Sequence, residues 1–120
     1  MSGKQKLFRF EQLKSFSNVY EGGIETFRAD NFELKSKWKE RHFKNANPLI
    51  LELACGKGEY SVNLARKFPD RNFIGLDIKG ARMYIGAKSA IEEELENAAF
   101  LRTRVKFITG FFGEAEVDEI

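Results

Sequence analysis

The sequence predicts an open α/β fold, a parallel sheet with helices on both faces, and three observations carry that reading. From Pro48 onward, short continuous apolar runs alternate with segments of helical periodicity, the pattern of successive βαβ units. Glycines break the chain just after the first run, at Gly56 and Gly58, and an acid, Asp77, closes the second. Residues 1–47 differ in texture, with scattered aromatics and little apolar periodicity. The expected organisation is therefore a basic N-terminal extension over 1–47 and an α/β domain over 48–120.

Each element follows from local pattern. Leu49-Ile50-Leu51-Glu52-Leu53 reads as the first strand of that domain, since strands buried on both faces are near-continuous apolar runs. Tyr60, Leu64, Ala65 and Phe68 then fall on one face of a helix ended by Pro69. Phe73-Ile74-Gly75-Leu76-Asp77 is the second strand. Its helix carries Tyr84, Ala87, Ile91 and Leu95 on one stripe, with Glu92-Glu93-Glu94 facing water and Asn97 as a turn residue. Ala98 to Arg102 is a short third strand. Val105, Ile108, Phe111 and Phe112 fit a helical face, and a helix is preferred there because a parallel crossover needs about a dozen residues. Val117 to Ile120 begins a fourth strand. A sheet that stops inside a strand leads us to expect that the natural protein continues past Ile120, so the fold would be incomplete at its C-terminal side.

Composition narrows the function classes. The chain has 120 residues, 20 Lys+Arg against 18 Asp+Glu, and 42% apolar residues, which suits one soluble domain. No apolar run approaches the roughly 20 residues of a membrane span, and the basic N-terminus lacks the apolar core of a secretory signal, so a cytoplasmic location is expected. One cysteine and one histidine leave no internal disulfide and no expected metal site. The net charge of +2 is too small to identify a nucleic-acid binder, so its distribution matters more. Residues 1–47 hold ten basic and six acidic side chains, whereas residues 48–120 hold ten and twelve.

The chemically informative segment is Glu52-Leu53-Ala54-Cys55-Gly56-Lys57-Gly58-Glu59-Tyr60. Glycines after a strand let backbone approach a ligand lying across the strand tips, where ligands bind in open α/β sheets. Gly56-x-Gly58 lacks the third glycine of the dinucleotide pattern, and no P-loop lysine motif is present, so diphosphate cofactors are disfavoured. Glu52 and Glu59 would repel a pyrophosphate but suit a cationic amino-acid or sulfonium ligand, and S-adenosylmethionine carries both. Asp77 lies 19 positions after Gly58, where an acid can accept hydrogen bonds from both ribose hydroxyls. The competing reading is an α/β turn that merely needed small residues.

Leu51 to Tyr60, followed by Asn72-Phe73-Ile74-Gly75-Leu76-Asp77-Ile78-Lys79, resembles the first two motifs of the tRNA (guanine-N7-)-methyltransferase family. The phrase Gly-Lys-Gly-Glu is more particular than a generic methyltransferase loop, and Asn97 and Val117-Asp118-Glu119-Ile120 match the family's order. The resemblance implies a Rossmann-like class I methyltransferase that uses S-adenosylmethionine to methylate N7 of a guanine in the tRNA variable loop. It implies a cofactor-binding set of Glu52, Ala54, Gly56, Gly58, Asp77, Ile78 and Arg104. Glu52 would serve the methionine end and Asp77 the ribose. Two positions depart from the family: Ala54 replaces the first loop glycine, and Arg104 stands where an Asp or Asn usually meets the adenine. A cation cannot accept the adenine amino hydrogens, so a backbone contact would have to substitute. The family's Phe-Pro-Asp-Pro segment, with its aspartate at the target base, would follow the fourth strand. No catalytic residue is therefore expected in these 120 residues, and the chain alone is expected to be inactive.

For tRNA contact the candidates are Lys35, Lys37, Lys39, Arg41, Lys79 and Arg82, joined by Lys4, Lys6 and Arg9 in an N-terminal arm. A solvated charged face competes with phosphate contact for these residues. Trp38 and Phe43 are expected to cover the sheet as core rather than to stack on a base, His42 to be solvated, and Cys55 to be a packing residue. Alternative functions are methylation of another RNA or a small molecule, and a non-catalytic fragment.

Overall fold

Four parallel strands carry the fold in the computed structural model, which describes residues 2–120. They are β1 (Val19–Glu21), β2 (Leu49–Leu53), β3 (Asn72–Asp77) and β4 (Ala98–Arg102), in the spatial order β1-β4-β3-β2. Val19 lies opposite Phe100, Phe73 opposite Ala98, and Leu49 opposite Asn72. Because every strand runs the same way, the segments that follow them, at Gly22, Ala54, Ile78 and Thr103, share one rim.

Where a fourth strand is expected, at Val117–Ile120, the structure has one isolated bridge. Glu119 forms a parallel bridge to Ile50 on the free side of β2, and the Leu51 amide donates to the Glu119 carbonyl at 2.9 Å. Chain order therefore reverses at β2, with β3 on one side and residue 119 on the other. In open α/β sheets that reversal opens the crevice where ligands bind, and the Ala54–Gly58 loop sits at its mouth.

The helices are α1 (Gly3–Leu13), α2 (Ile24–Ala29), α3 (Glu59–Lys67) and α4 (Gly80–Glu92). A reciprocal cap starts α1: the Gln5 amide donates to Ser2 Oγ, and the Ser2 amide donates to Gln5 Oε1. Leu13, Val62, Ala65, Met83 and Ala87 bring α1, α3 and α4 onto one sheet face, against Phe73 and Phe100. The other face packs Leu49, Leu51, Ile74, Leu76 and Leu101 under Trp38, Phe107, Phe111 and Phe112.

Strands β2 and β4 fall where the apolar runs place them, and β3 begins one residue earlier. The helix preferred after Arg102 is a 3-10 helix over Val105–Gly110. Side-chain faces differ more. Tyr60 is 62% exposed, and the buried face of α3 is Ser61, Val62 and Ala65. The stripe of α4 is shifted likewise to Met83, Tyr84, Ala87 and Ala90, while Ile91 is exposed. Glu92, Glu93 and Glu94 do face water. Asn97 does more than turn the chain, since its Nδ2 faces the carbonyls of Ala65, Phe68 and Arg71 and ties the end of α3 to the start of β4.

Residues before Pro48 take part in both layers. β1 supplies the edge strand next to β4, and a π-helical turn over Trp38–Phe43 brings Trp38 and Phe43 into the core. The Trp38 indole donates to the Phe111 carbonyl at 2.9 Å, and its ring stacks on Phe112. His42 is half-buried, where a solvated side chain is expected. It packs against Tyr20, Trp38 and Phe43, and Tyr20 Oη lies 2.6 Å from its Nδ1. Burial, with the Lys44 charge in support, pushes its pKa down to about 4, so the ring is neutral at neutral pH and shares a hydrogen bond with the tyrosine hydroxyl.

Candidate functional site

The loop after β2 is held in an unusual backbone shape. Ala54, Gly56 and Gly58 have φ of 56°, 56° and 76°, three left-handed residues within five. Gly58 cannot be replaced without displacing its surroundings, since a Cβ there would lie 2.5 Å from the Phe100 ring. Ala54 carries a Cβ in the same backbone region, which costs about 1 kcal/mol.

Three backbone bonds pin this loop: the Cys55 amide to the Leu76 carbonyl, the Gly58 amide to the Cys55 carbonyl, and the Gly86 amide to the Lys57 carbonyl. Gly86 lies inside α4, and a Cβ on it would stand 2.7 Å from the Lys57 oxygen and 2.9 Å from Gly58 Cα. Its bare backbone is what allows α4 to buttress the loop. Sequence reasoning passed over this residue, although a glycine within a helical stripe is a signal of close approach.

Asp77 joins the two motifs. Its Oδ2 accepts the Gly56 amide at 2.8 Å, while Oδ1 accepts the amides of Ile78 at 2.7 Å and Lys79 at 3.1 Å. The carboxylate therefore fixes the loop and the first turn towards α4 together. Glu52, near the end of β2, is half-buried and accepts a 2.6 Å hydrogen bond from the Ser61 hydroxyl. Ser61 is the second residue that periodicity missed; it is buried because it has this polar partner. Between the two acids, burial pushes the Cys55 thiol up to about 12, with Glu52 and Asp77 adding to the shift. Such a group stays a thiol at neutral pH and packs against Gly75 rather than reacting.

Two cavities flank this junction. One of about 510 Å³ is lined by Glu52, Leu53, Tyr60 and Ser61 and extends to Ile120. The other, about 680 Å³, is lined by Ile78, Thr103, Arg104, Lys106 and the Glu21–Ile24 turn. Arg104 caps the 3-10 helix from an exposed position two residues beyond β4, and the buried Thr103 hydroxyl has no hydrogen-bond partner. Among the described residues no group of three His, Cys, Asp or Glu side chains is placed to hold a metal ion.

The basic candidates separate into two groups. Lys79 and Arg82 stand exposed on the rim, at the start of α4. Lys35 is paired with Asp30 at 2.8 Å, and Lys39 with Asp118 at 2.8 Å. Asp118 also accepts the Leu49 amide, and Lys39 with that amide holds its carboxyl below the usual range. Lys39 is thus at the base of β2, a strand length of roughly 15 Å from the loop. Lys37 and Arg41 are exposed on the same stretch of chain.

Comparison with known proteins follows the same lines. A family model described as "Putative methyltransferase" matches residues 46–120. The chain is 54% identical over its whole length to a tRNA (guanine-N(7)-)-methyltransferase of Christiangramia forsetii, and 48% identical over 98% of its length to one of Bacteroides fragilis. It spans about half of these relatives, 54% and 47% of their lengths. A solved structure of the antibiotic-resistance methyltransferase Kmr superposes with a TM-score of 0.47 at 22% identity, over 52% of this chain and 32% of that one.

Proposed function

The chain belongs to the methyltransferase family matched over residues 46–120, and from that premise we propose that it is the cofactor-binding half of an enzyme that methylates guanine N7 in tRNA with S-adenosylmethionine. The observation that carries this reading is the junction of Asp77 with the left-handed loop at the reversal of strand order.

The residues present fit that cofactor. Ser61 holds one Glu52 oxygen and leaves the other to accept the ammonium of the methionine end. Asp77 keeps acceptor capacity beyond its three amide bonds, enough to take a ribose hydroxyl. Ile78, 40% exposed beside it, offers an apolar surface to the adenine, and the unpartnered Thr103 hydroxyl lies in the lining of the same cavity. Arg104 cannot accept amino hydrogens, so backbone carbonyls at that rim would do so.

When bound, the cofactor supplies an electrophilic methyl on a sulfonium. Guanine N7 already carries a lone pair, so the protein's task is alignment and exclusion of water, with no proton to remove from N7. Glu52 and Asp77 are accordingly binding residues, and the tRNA variable loop would meet the rim that carries Lys79 and Arg82. A cytoplasmic enzyme suits this substrate, and no described helix is long and apolar enough to cross a membrane.

Calorimetric titration with S-adenosylmethionine and S-adenosylhomocysteine tests the reading. Saturable binding is expected, weakened at least about tenfold in Asp77→Asn, whose NH2 replaces an oxygen that accepts backbone amides and leaves less acceptor capacity for the ribose. Unchanged affinity in a folded Asp77→Asn chain would refute the assignment.

A further inference from the structure

We propose that the face built by α1 and α4, reaching the strand-tip rim at the start of α4, receives the sugar-phosphate backbone of the RNA substrate; the proposal rests on the tRNA reading above. α1 carries Lys4, Lys6 and Arg9, with Lys14 at its C-cap, and α4 is preceded by Lys79 and carries Arg82 and Lys88. With the caps counted alike, the acids on the two helices are Glu11, Glu92 and the C-cap Glu93, and Glu93 is paired with Arg66. None of those seven cations belongs to an ion pair among the described residues, where the pairs are Lys35–Asp30, Lys39–Asp118, Arg66–Glu93 and Arg102–Glu21.

Packing concentrates this charge. The Arg9 guanidinium lies 5.6 Å from the Tyr84 ring centroid, and the Lys88 ammonium lies 5.8 Å from the same centroid. Two cations gathered on one ring, with no carboxylate bonded to either, form an arrangement that an external anion would relieve.

The position of α1 is fixed at the site. Leu13 is buried, and its Cδ2 is 3.0 Å from where a Gly80 Cβ would stand. Phe10 lies under the Arg102 guanidinium at the end of β4, and Phe16 stacks on Tyr84. The basic face is therefore continuous with Ile78 and Lys79, whose amides Asp77 holds. Phe8, 58% exposed on α1 one turn after Lys4, adds an aromatic surface on which an unstacked base can lie. A basic helix could also lie on an anionic membrane, but on α1 only Leu7 and Phe8 are exposed large apolar side chains, too little surface to bury in lipid.

The test is fluorescence anisotropy of a labelled tRNA transcript against the chain over a series of salt concentrations. The variants are Lys6→Ala/Arg9→Ala/Lys88→Ala and, for comparison, Lys37→Ala/Arg41→Ala/Lys44→Ala, each checked for melting temperature and S-adenosylhomocysteine affinity. The first triple is expected to weaken tRNA binding and to lower the slope of log Kd against log salt by about 2 to 3. Cofactor affinity and melting stay unchanged, and the comparison triple keeps wild-type tRNA binding. Wild-type slope in the first triple, an equal loss in the comparison triple, or preference for phosphatidylserine vesicles over tRNA overturns the inference. A wild-type chain that binds S-adenosylhomocysteine but no tRNA overturns it while leaving the cofactor site standing; one that binds neither removes the premise as well.

Discussion

The two ends of the sheet are built on opposite terms. At the rim, the backbone is left-handed at three of five loop positions, acids are held by amides and a hydroxyl, and Lys79 and Arg82 belong to no ion pair, although Arg102 is paired with Glu21. At the base of β2, Lys39 and the Leu49 amide share Asp118, and nearby on one face Trp38, His42 and Phe43 are closed in aromatic contact. The charges at the base of β2 are paired within the fold, whereas at the rim the Thr103 hydroxyl is buried without a partner and Lys79 and Arg82 are exposed. Basic residues that look alike in sequence thereby take different roles.

Substitutions should fall on the matching side of that division. Trp38→Ala removes a fully buried ring and its indole hydrogen bond and is expected to cost about 3 to 5 kcal/mol in chemical denaturation, the largest effect on stability. His42 comes next and acts through pH. Its folded pKa of about 4 lies below the ordinary 6.5, so the unfolded chain binds the extra proton first as pH falls. Stability should be full above pH 6.5 and decline by up to about 3 kcal/mol towards pH 4. His42→Phe should flatten this profile in denaturation curves taken across that range; an unchanged slope would assign the dependence to other groups.

Gly86→Ala carries the comparison to the rim. Its added methyl would meet Lys57 and Gly58 backbone, which should cost about 1 to 3 kcal/mol and lower cofactor affinity, measured by melting and titration. Ala54→Gly is the smallest change and has the opposite sign. Relief of its left-handed strain should raise stability by up to about 1 kcal/mol, since relief exceeds the entropy of the freer unfolded chain.

Much of this division was legible in residue order, and its omissions share a cause. Strands β3 and β4 are buried on both faces and β2 alternates buried with half-buried residues, and their mostly apolar composition marks all three. Gly56, Gly58 and Asp77 are legible because spacing encodes their meeting. β1 escaped because three residues, Val-Tyr-Glu, are too few for a period, and their place in the sheet depends on β4, some eighty positions away. The faces of α3 and α4 were displaced because periodicity counts only apolar side chains. Ser61 is buried through Glu52, and Gly86 through a backbone contact, and neither interaction is visible to a hydropathy pattern. His42 was misjudged for the same reason, since Tyr20 supplies its partner from another element. The charge of Lys39 likewise gave no sign of Asp118, which follows it by 79 positions.

The claim that ligand chemistry belongs to one end of the sheet is tested most directly by amide chemical-shift mapping of the chain titrated with S-adenosylhomocysteine. The account predicts large shifts at residues 52–58, 77–79 and 103–105, and none at 38–43 or 118. Saturable shifts centred on Trp38, His42 or Asp118, with the Gly56 and Ile78 amides unmoved, would contradict it.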